Sequence, residues 1–506
     1  MKFLALLTAW LAIASASAQT NALKVRLISL QDCVQDALSK NLDLRIARYT
    51  PSQARLDLSA AYAGYDPLFF LGGQHSYSRT GGGIDPTTHL PLPTSQTGSD
   101  GFSSSLVNGL TPLGTTYSLQ GNLSESIGTI ASSPFDESVG SASITLTQPL
   151  LKNFWIDQTR LSVRLGKNAL QYSEQGVRQQ IITSVTAVEN AYYELIYAQE
   201  NVQVQQEALG LAQTQYDQDK QRVEIGTMAQ LDVQQDESQV ATSQANLIAG
   251  ENTLSIDENT LKNLLTDDYV LWHNTLIQPT VKLTATLQLF DLQDSWNKGM
   301  TGRPDLLQSR LTVEKQGIQL KFDYNQLYPS LDLIGSYGYN GSGDNFGGTF
   351  NGFYQANQPF WSYGAQLSMP LSNVAARNTY KAGKVTLKQL LLQLKQLEQN
   401  VMVDIDNAVK QAQSSYQSVQ ATQAARIYAE AALDAEQKKY AVGKSTTFTV
   451  LQLQNNLTAA RSQEIRSLAD YNEALANLAA KEGSTLERNG IVLDSSSPQK
   501  SSAPQK

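Results

Sequence analysis

One cysteine in 506 residues, Cys33, leaves no partner for an internal disulfide. It follows Ser29-Leu30-Gln31-Asp32, away from the chain start, and reads as a small helix-packing residue rather than a lipidation site. Histidine is nearly as scarce. His75, His89 and His273 lie far apart, and none opens a metal-binding spacing. There is no G-x-S-x-G nucleophile elbow and no phosphate-binding P-loop. Gly81-Gly82-Gly83 sits in a polar stretch with no helix after it, so it reads as flexible punctuation. The carboxylates fall mainly on helix surfaces, where solvation explains them. No catalytic residue, cofactor or metal is expected.

No interior run reaches the roughly 20 apolar residues of a transmembrane helix. Lipid leaves backbone polar groups unsatisfied in anything but helices and closed β-barrels. A chain of this kind that crosses a membrane therefore does so as a barrel; otherwise it is soluble. The mean hydropathy of -0.30 suits a soluble protein but also a barrel, whose lumen-facing residues are polar. The net charge of -8 argues against nucleic acid as a partner.

Met1-Lys2, the apolar stretch from Phe3 to Ile13 and the ending Ala16-Ser17-Ala18 form a secretory leader pattern, with cleavage expected after Ala18.

The two halves of the chain resemble each other. Asp43, Leu44, Arg48 and Pro67 recur at one common offset as Asp305, Leu306, Arg310 and Pro329. At a second offset Arg160, Asn190, Ala191 and Gly226 recur as Arg377, Asn407, Ala408 and Gly443, and Val233 as Val450. A constant offset within each block implies a duplicated unit whose loops differ in length. Expected segments are 1–18 leader, 19–265 first repeat, 266–302 linker belt, 303–483 second repeat and 484–506 tail. The tail after 494 is rich in Ser, Pro, Gln and Lys and is expected to be disordered.

Proline is absent from 150–278 and from 371–497. In the first stretch Ile181, Val185, Val188, Tyr192 and Leu195 follow a 4-3 spacing. Met402, Ile405, Val409, Ala412, Tyr416 and Val419 do so in the second. That period is a coiled-coil seam. The spacing predicts helices over 30–62, 158–223, 231–265, 304–326, 377–440 and 449–481. Sixty-odd helical residues span roughly 100 Å. Strand patterning appears elsewhere: Leu331, Leu333, Gly335, Tyr337 and Tyr339 alternate with other residues, as do Tyr363, Ala365, Leu367 and Met369. Phe69, Leu71, Ile144 and Leu146 mark strands in the first unit. This suits barrel strands, with a soluble hairpin packed on the helices as the alternative.

The order helix, strands and long helical hairpin, given twice, resembles the TolC family of outer-membrane efflux proteins. The resemblance runs from about Leu30 to Gly483. It is carried by Asp66-Pro67, Thr147-Gln148-Pro149-Leu150-Leu151 and Val188-Glu189-Asn190-Ala191-Tyr192-Tyr193-Glu194-Leu195. The paired turns Ile225-Gly226-Thr227 and Val442-Gly443-Lys444 add to it. It implies an α+β membrane protein with coiled-coil hairpins. A homotrimer would share a twelve-stranded β-barrel in outer-membrane lipid and a periplasmic α-barrel. The two turns are implied to dock a periplasmic adaptor fed by an inner-membrane pump. Asp232 and Tyr440 match the family's tip latch. The latch arginine falls on Ser445, beside Lys444. The two aspartates of its narrowest ring fall on Thr449 and Gln452, so the implied pore is less cation-selective. The implied function is a passive exit duct in a Gram-negative outer membrane. Type I protein secretion, and a secreted coiled-coil spacer without a pore, are the alternatives.

The first strand region is about one hairpin longer than the second. Candidate strands are 102–107 and 115–122, joined by a Gly- and Pro-marked turn over 108–114. Ser103-Ser104-Ser105 makes a poor lipid-facing run, which favours placing this hairpin outside the barrel with four strands kept per protomer.

Overall fold

A computed structural model describes residues 24–492, apart from 92 and 131–132. The leader at 1–18 and the tail after 494 lie outside the described residues. In chain order the elements are β1 (Lys24–Ile28), α1 (Leu30–Lys40), α2 (Leu42–Tyr62), a 3-10 turn (Ala63–Tyr65), β2 (Leu68–Thr80), β3 (Ser95–Leu110), β4 (Thr116–Ile130), β5 (Ser133–Pro149) and α3 (Gln158–Glu224). Next come α4 (Gln230–Leu265), α5 (Tyr269–Trp272), β6 (Thr275–Pro279), α6 (Leu292–Gly302), α7 (Pro304–Asn325) and β7 (Ser330–Gly343). The chain ends with α8 (Phe346–Gln355), β8 (Pro359–Ser368), α9 (Val374–Ala441), α10 (Thr447–Glu482) and α11 (Thr485–Arg488). Among the described residues no helix is long and apolar enough to cross a membrane.

The chain divides into two compact units. The first comprises Met1–Arg48, Gly176–Leu306 and Leu397–Lys506. Its core grows from the 4-3 seam. Val185, Val188, Tyr192 and Leu195 of α3 are buried with Cys33, Val34 and Ala37 of α1 and Leu261 and Leu265 of α4. The Tyr192 hydroxyl donates to the Ile28 carbonyl at 3.2 Å, which satisfies the ring's one polar atom inside that core. On α9, Ile405, Val409, Ala412 and Val419 are buried as the spacing requires, but Met402 is 36% exposed and Val401 takes the inner position. The seam shifts by one residue there. Residues 266–302 carry a strand as well as helices: β6 pairs in parallel with β1, which the sequence pattern did not mark.

The expected single helix over 30–62 is broken. Asn41 has ψ 126, outside the helical region, so α1 stops and α2 restarts. Its side chain explains the break. Nδ2 donates to the Leu264 carbonyl, and Oδ1 accepts from the Leu44 amide, which caps α2.

The second unit, Tyr49–Gln175 with Leu307–Gln396, is built on one antiparallel sheet of order β2-β3-β4-β5-β7-β8. Here the sequence expectation fails: the additional hairpin is not outside the sheet. Its strands, β3 and β4, have 16 and 15 residues and lie between β2 and β5. The sheet therefore has six strands, not four. The register supplies the reason. Phe69, Leu106, Leu119, Ile144, Tyr337 and Trp361 are successive cross-strand partners, an apolar row through all six strands. The neighbouring row on the opposite face includes Ser118, Thr145, Ser336 and Ser362. Side chains alternate faces along a strand, so only Ser104 of the three serines shares a face with Leu106 and Phe102.

The sheet returns to helix through a fixed elbow. Arg160, in the first turn of α3, bonds through Nε to Asp157 at 2.7 Å. Its Nη2 donates to the Asn153 and Phe154 carbonyls. Between β7 and β8 the short helix α8 is tied to β5 by Thr349, whose buried hydroxyl donates to the Ser138 carbonyl at 3.0 Å.

Candidate functional site

The two helix turns, α3 to α4 and α9 to α10, belong to the first unit and have the same backbone design. Gly226 has φ 77 and Gly443 has φ 75. At the first, the Gly226 amide donates to Val223 and the Thr227 amide to Arg222. At the second, the Gly443 amide donates to Tyr440 and the Lys444 amide to Lys439. These paired reverse bonds close the last helical carbonyls, and they require a left-handed residue that glycine adopts without strain. A Cβ built at either glycine meets nothing within 4 Å, so both turns stand open on their outer side.

The residues expected at the tips lie there. Ile225 and Val442 are 73% and 68% exposed, and Leu231 and Phe448 are exposed beside them. Thr227 donates through its hydroxyl to the Arg222 carbonyl. Lys444 is exposed.

The latch residues are arranged differently from the family pattern. Tyr440 does not pair with Asp232. Its hydroxyl donates to Asp219 Oδ2 at 2.6 Å and lies 3.0 Å from the Thr447 hydroxyl. Arg222 caps the arrangement. Its guanidinium sits 4.8 Å from the Tyr440 ring centroid, and Nη1 reaches Asp219 Oδ1 at 3.2 Å. Gln215 supplies a further bond to Asp219 Oδ2 at 2.6 Å. Burial and the bond to Asp219 push the Tyr440 hydroxyl up to about 12, so it stays a donor at every physiological pH. Asp232 lies in the first turn of α4, where its charge favours the helix dipole. Ser445 donates to Glu436 Oε1 at 2.6 Å. The Thr449 amide is capped by Thr446, and Gln452 is exposed.

Asp219, Asp236, Arg222 and Thr447 were not singled out from the sequence. The available signal was the seam itself. Ala212, Gln215 and Asp219 are all buried and keep its three- and four-residue steps, so a carboxylate occupies a core position. Behind the turns the packing is apolar: Leu433, Val450 and Leu457 are buried together with Tyr440 against them.

A family model described as "Outer membrane efflux protein" matches residues 33–266 and 300–484. "Outer membrane protein TolC" of Vibrio cholerae is 24% identical over 363 residues, covering 69% of this chain and 79% of that protein. Among solved structures, the Campylobacter jejuni CmeC outer membrane channel superposes with a TM-score of 0.64 at 15% identity, over 90% of this chain and 86% of that one. The outer membrane protein VceC of Vibrio cholerae gives 0.63 at 17% identity, over 90% and 96%.

Proposed function

The chain belongs to the outer membrane efflux protein family, and from that premise we propose that three copies form a continuous exit duct, with strands in the outer membrane and helical hairpins in the periplasm. As a member of that family it is an outer-membrane efflux channel.

The observation that carries the assembly is the apolar row through the sheet. Phe69, Tyr337 and Trp361 are 66%, 47% and 68% exposed within one chain. A soluble protein does not present such a row to water; lipid removes the penalty. Among the described residues the sheet also ends in two open edges, because β2 and β8 each pair on one side only. An open edge is not tolerated in hydrocarbon. Pairing β8 of one copy with β2 of the next satisfies both, and three six-stranded sheets close a barrel of eighteen. That exceeds the twelve implied by resemblance and makes a wider lumen, because barrel diameter grows with strand number. The face bearing Ser118, Thr145, Ser336 and Ser362 lines that lumen.

The two turns are the docking end. Ile225, Leu231, Val442 and Phe448 offer exposed apolar side chains to the helical hairpins of a periplasmic adaptor. An inner-membrane pump supplies the energy, and this chain conducts passively. The Tyr440–Asp219 bond, which joins α9 to α3 beside the two turns, supports a docking end shared by both. Type I secretion would use the same duct. A pore-free spacer is disfavoured, since it has no use for the apolar row.

Fractionation tests the reading. The protein is expected in outer membranes, as a trimer that dissociates only on heating. Recovery as a soluble monomer would overturn it.

A further inference from the structure

Asp219 of α3 and Asp236 of α4 are both 0% exposed. Their surroundings differ sharply. Asp219 accepts from Gln215, Tyr440, Arg222 and Thr447, so its carboxylate is stabilised by donors on both oxygens. Neither oxygen of Asp236 has a donor among the described residues. The charged groups acting on it are Asp219 and Asp232, both of its own sign. The cation of the cluster, Arg222, is taken by Asp219 and by the Tyr440 ring. From α9 and α10 the cluster receives only the Tyr440 and Thr447 hydroxyls, both turned to Asp219.

A buried carboxylate with no donor and only negative neighbours is expensive, and the cheaper state is the neutral acid. A neutral carboxyl is itself a donor, and the carboxylate within hydrogen-bonding reach of it is Asp219. We infer that Asp236 carries a proton which it donates to Asp219, and that this shared proton clamps α3 to α4 behind the first turn. Loss of the proton to water leaves two adjacent buried carboxylates and loosens the turn.

Burial and then the Asp219 charge push Asp236 up to about 7, from an ordinary value of 3.8. The sign follows. A folded value above the unfolded one means the native tip binds more protons than the unfolded chain between those limits. The clamp is complete below the ordinary value and is lost as pH rises through about 7. Acidic surroundings tighten the tip; mildly alkaline ones release it.

The inference rests on the geometry of this cluster, and its readouts need no transport, so its failure leaves the proposed duct standing. Glu473, half-buried near Glu194, is pushed up to about 8, and burial also raises Glu189, Glu200 and Asp257, so their signals overlap that of Asp236. The full-length protein is therefore compared in a Glu473→Gln background. Subtracting the infrared spectrum of the same background carrying Asp236→Asn should leave a carboxylic-acid C=O band at about pH 6 that disappears by about pH 8.5. Amide exchange around Gly226, corrected for its intrinsic pH dependence, should accelerate about tenfold over that range and stay flat with Asp236→Asn, whose amide still donates to Asp219. Should that variant fail to fold, Asp219→Asn removes the neighbouring charge and should shift loss of the band to lower pH. No acid band at about pH 6, or exchange that accelerates equally with Asn at 236, overturns the inference.

Discussion

The Tyr440 hydroxyl, on α9, donates to Asp219 on α3 at 2.6 Å, bridging one side of the first turn to the second. This bond, rather than one to Asp232, ties the two hairpins at their tips. A hydrogen bond to a charged group contributes about 1.5–3 kcal/mol. Tyr440→Phe should raise the open fraction of the channel by about tenfold or more in planar bilayers. Asp232→Ala alone should leave it unchanged. An increase from Asp232→Ala and none from Tyr440→Phe would reverse the assignment.

Gly443 tests the docking surface. With φ 75 and open space around its missing side chain, a substitution is strained by backbone conformation and not by collision. Gly443→Trp should leave trimers in the membrane and abolish efflux, measured as intracellular accumulation of an exported dye. Gly443→Asn, which tolerates the left-handed region, should retain most of it.

The hairpin β3–β4 lies within the six-stranded sheet, between β2 and β5, so its removal breaks the sheet. Deleting 101–124 takes the partner from β2 and should abolish assembly. A finer test uses the two faces. Leu119→Lys, in the apolar row, should cost about 2–4 kcal/mol in lipid, while Ser118→Lys, on the opposite, polar face of the sheet, should be tolerated. Urea titration of the protein in detergent or bilayers reads both.

Cys33 is 0% exposed, and burial, reinforced by Asp36 and Asp32, pushes its thiol up to about 12. The thiolate is the reactive species. Iodoacetamide at about pH 8 should leave the native protein unlabelled and modify it fully only after denaturation. Rapid native labelling would show that α1 leaves the core.

Much of the helical part was legible because one rule governs it. Val185, Val188, Tyr192 and Leu195 keep a fixed spacing, and all are buried. Gly226 and Gly443 announce their turns because their backbone conformation is one that few other residues accept. What escaped depends on long-range partners. Asn41 breaks a helix because Leu264, far along the chain, accepts from it. β1 is a strand because β6 lies beside it. The serine run in β3 looked wrong for lipid when read as consecutive residues; paired with β2 and β4, it places its serines on alternate faces. Asp236 is invisible as a buried acid until Asp219 is brought against it.

The most direct test of the central claim is single-channel recording on the purified full-length protein in planar bilayers. Discrete, trimer-dependent conductance steps that enlarge when the Tyr440–Asp219 bond is removed are the expected result. Trimers that insert into the bilayer yet carry no current, wild type and Tyr440→Phe alike, would contradict it.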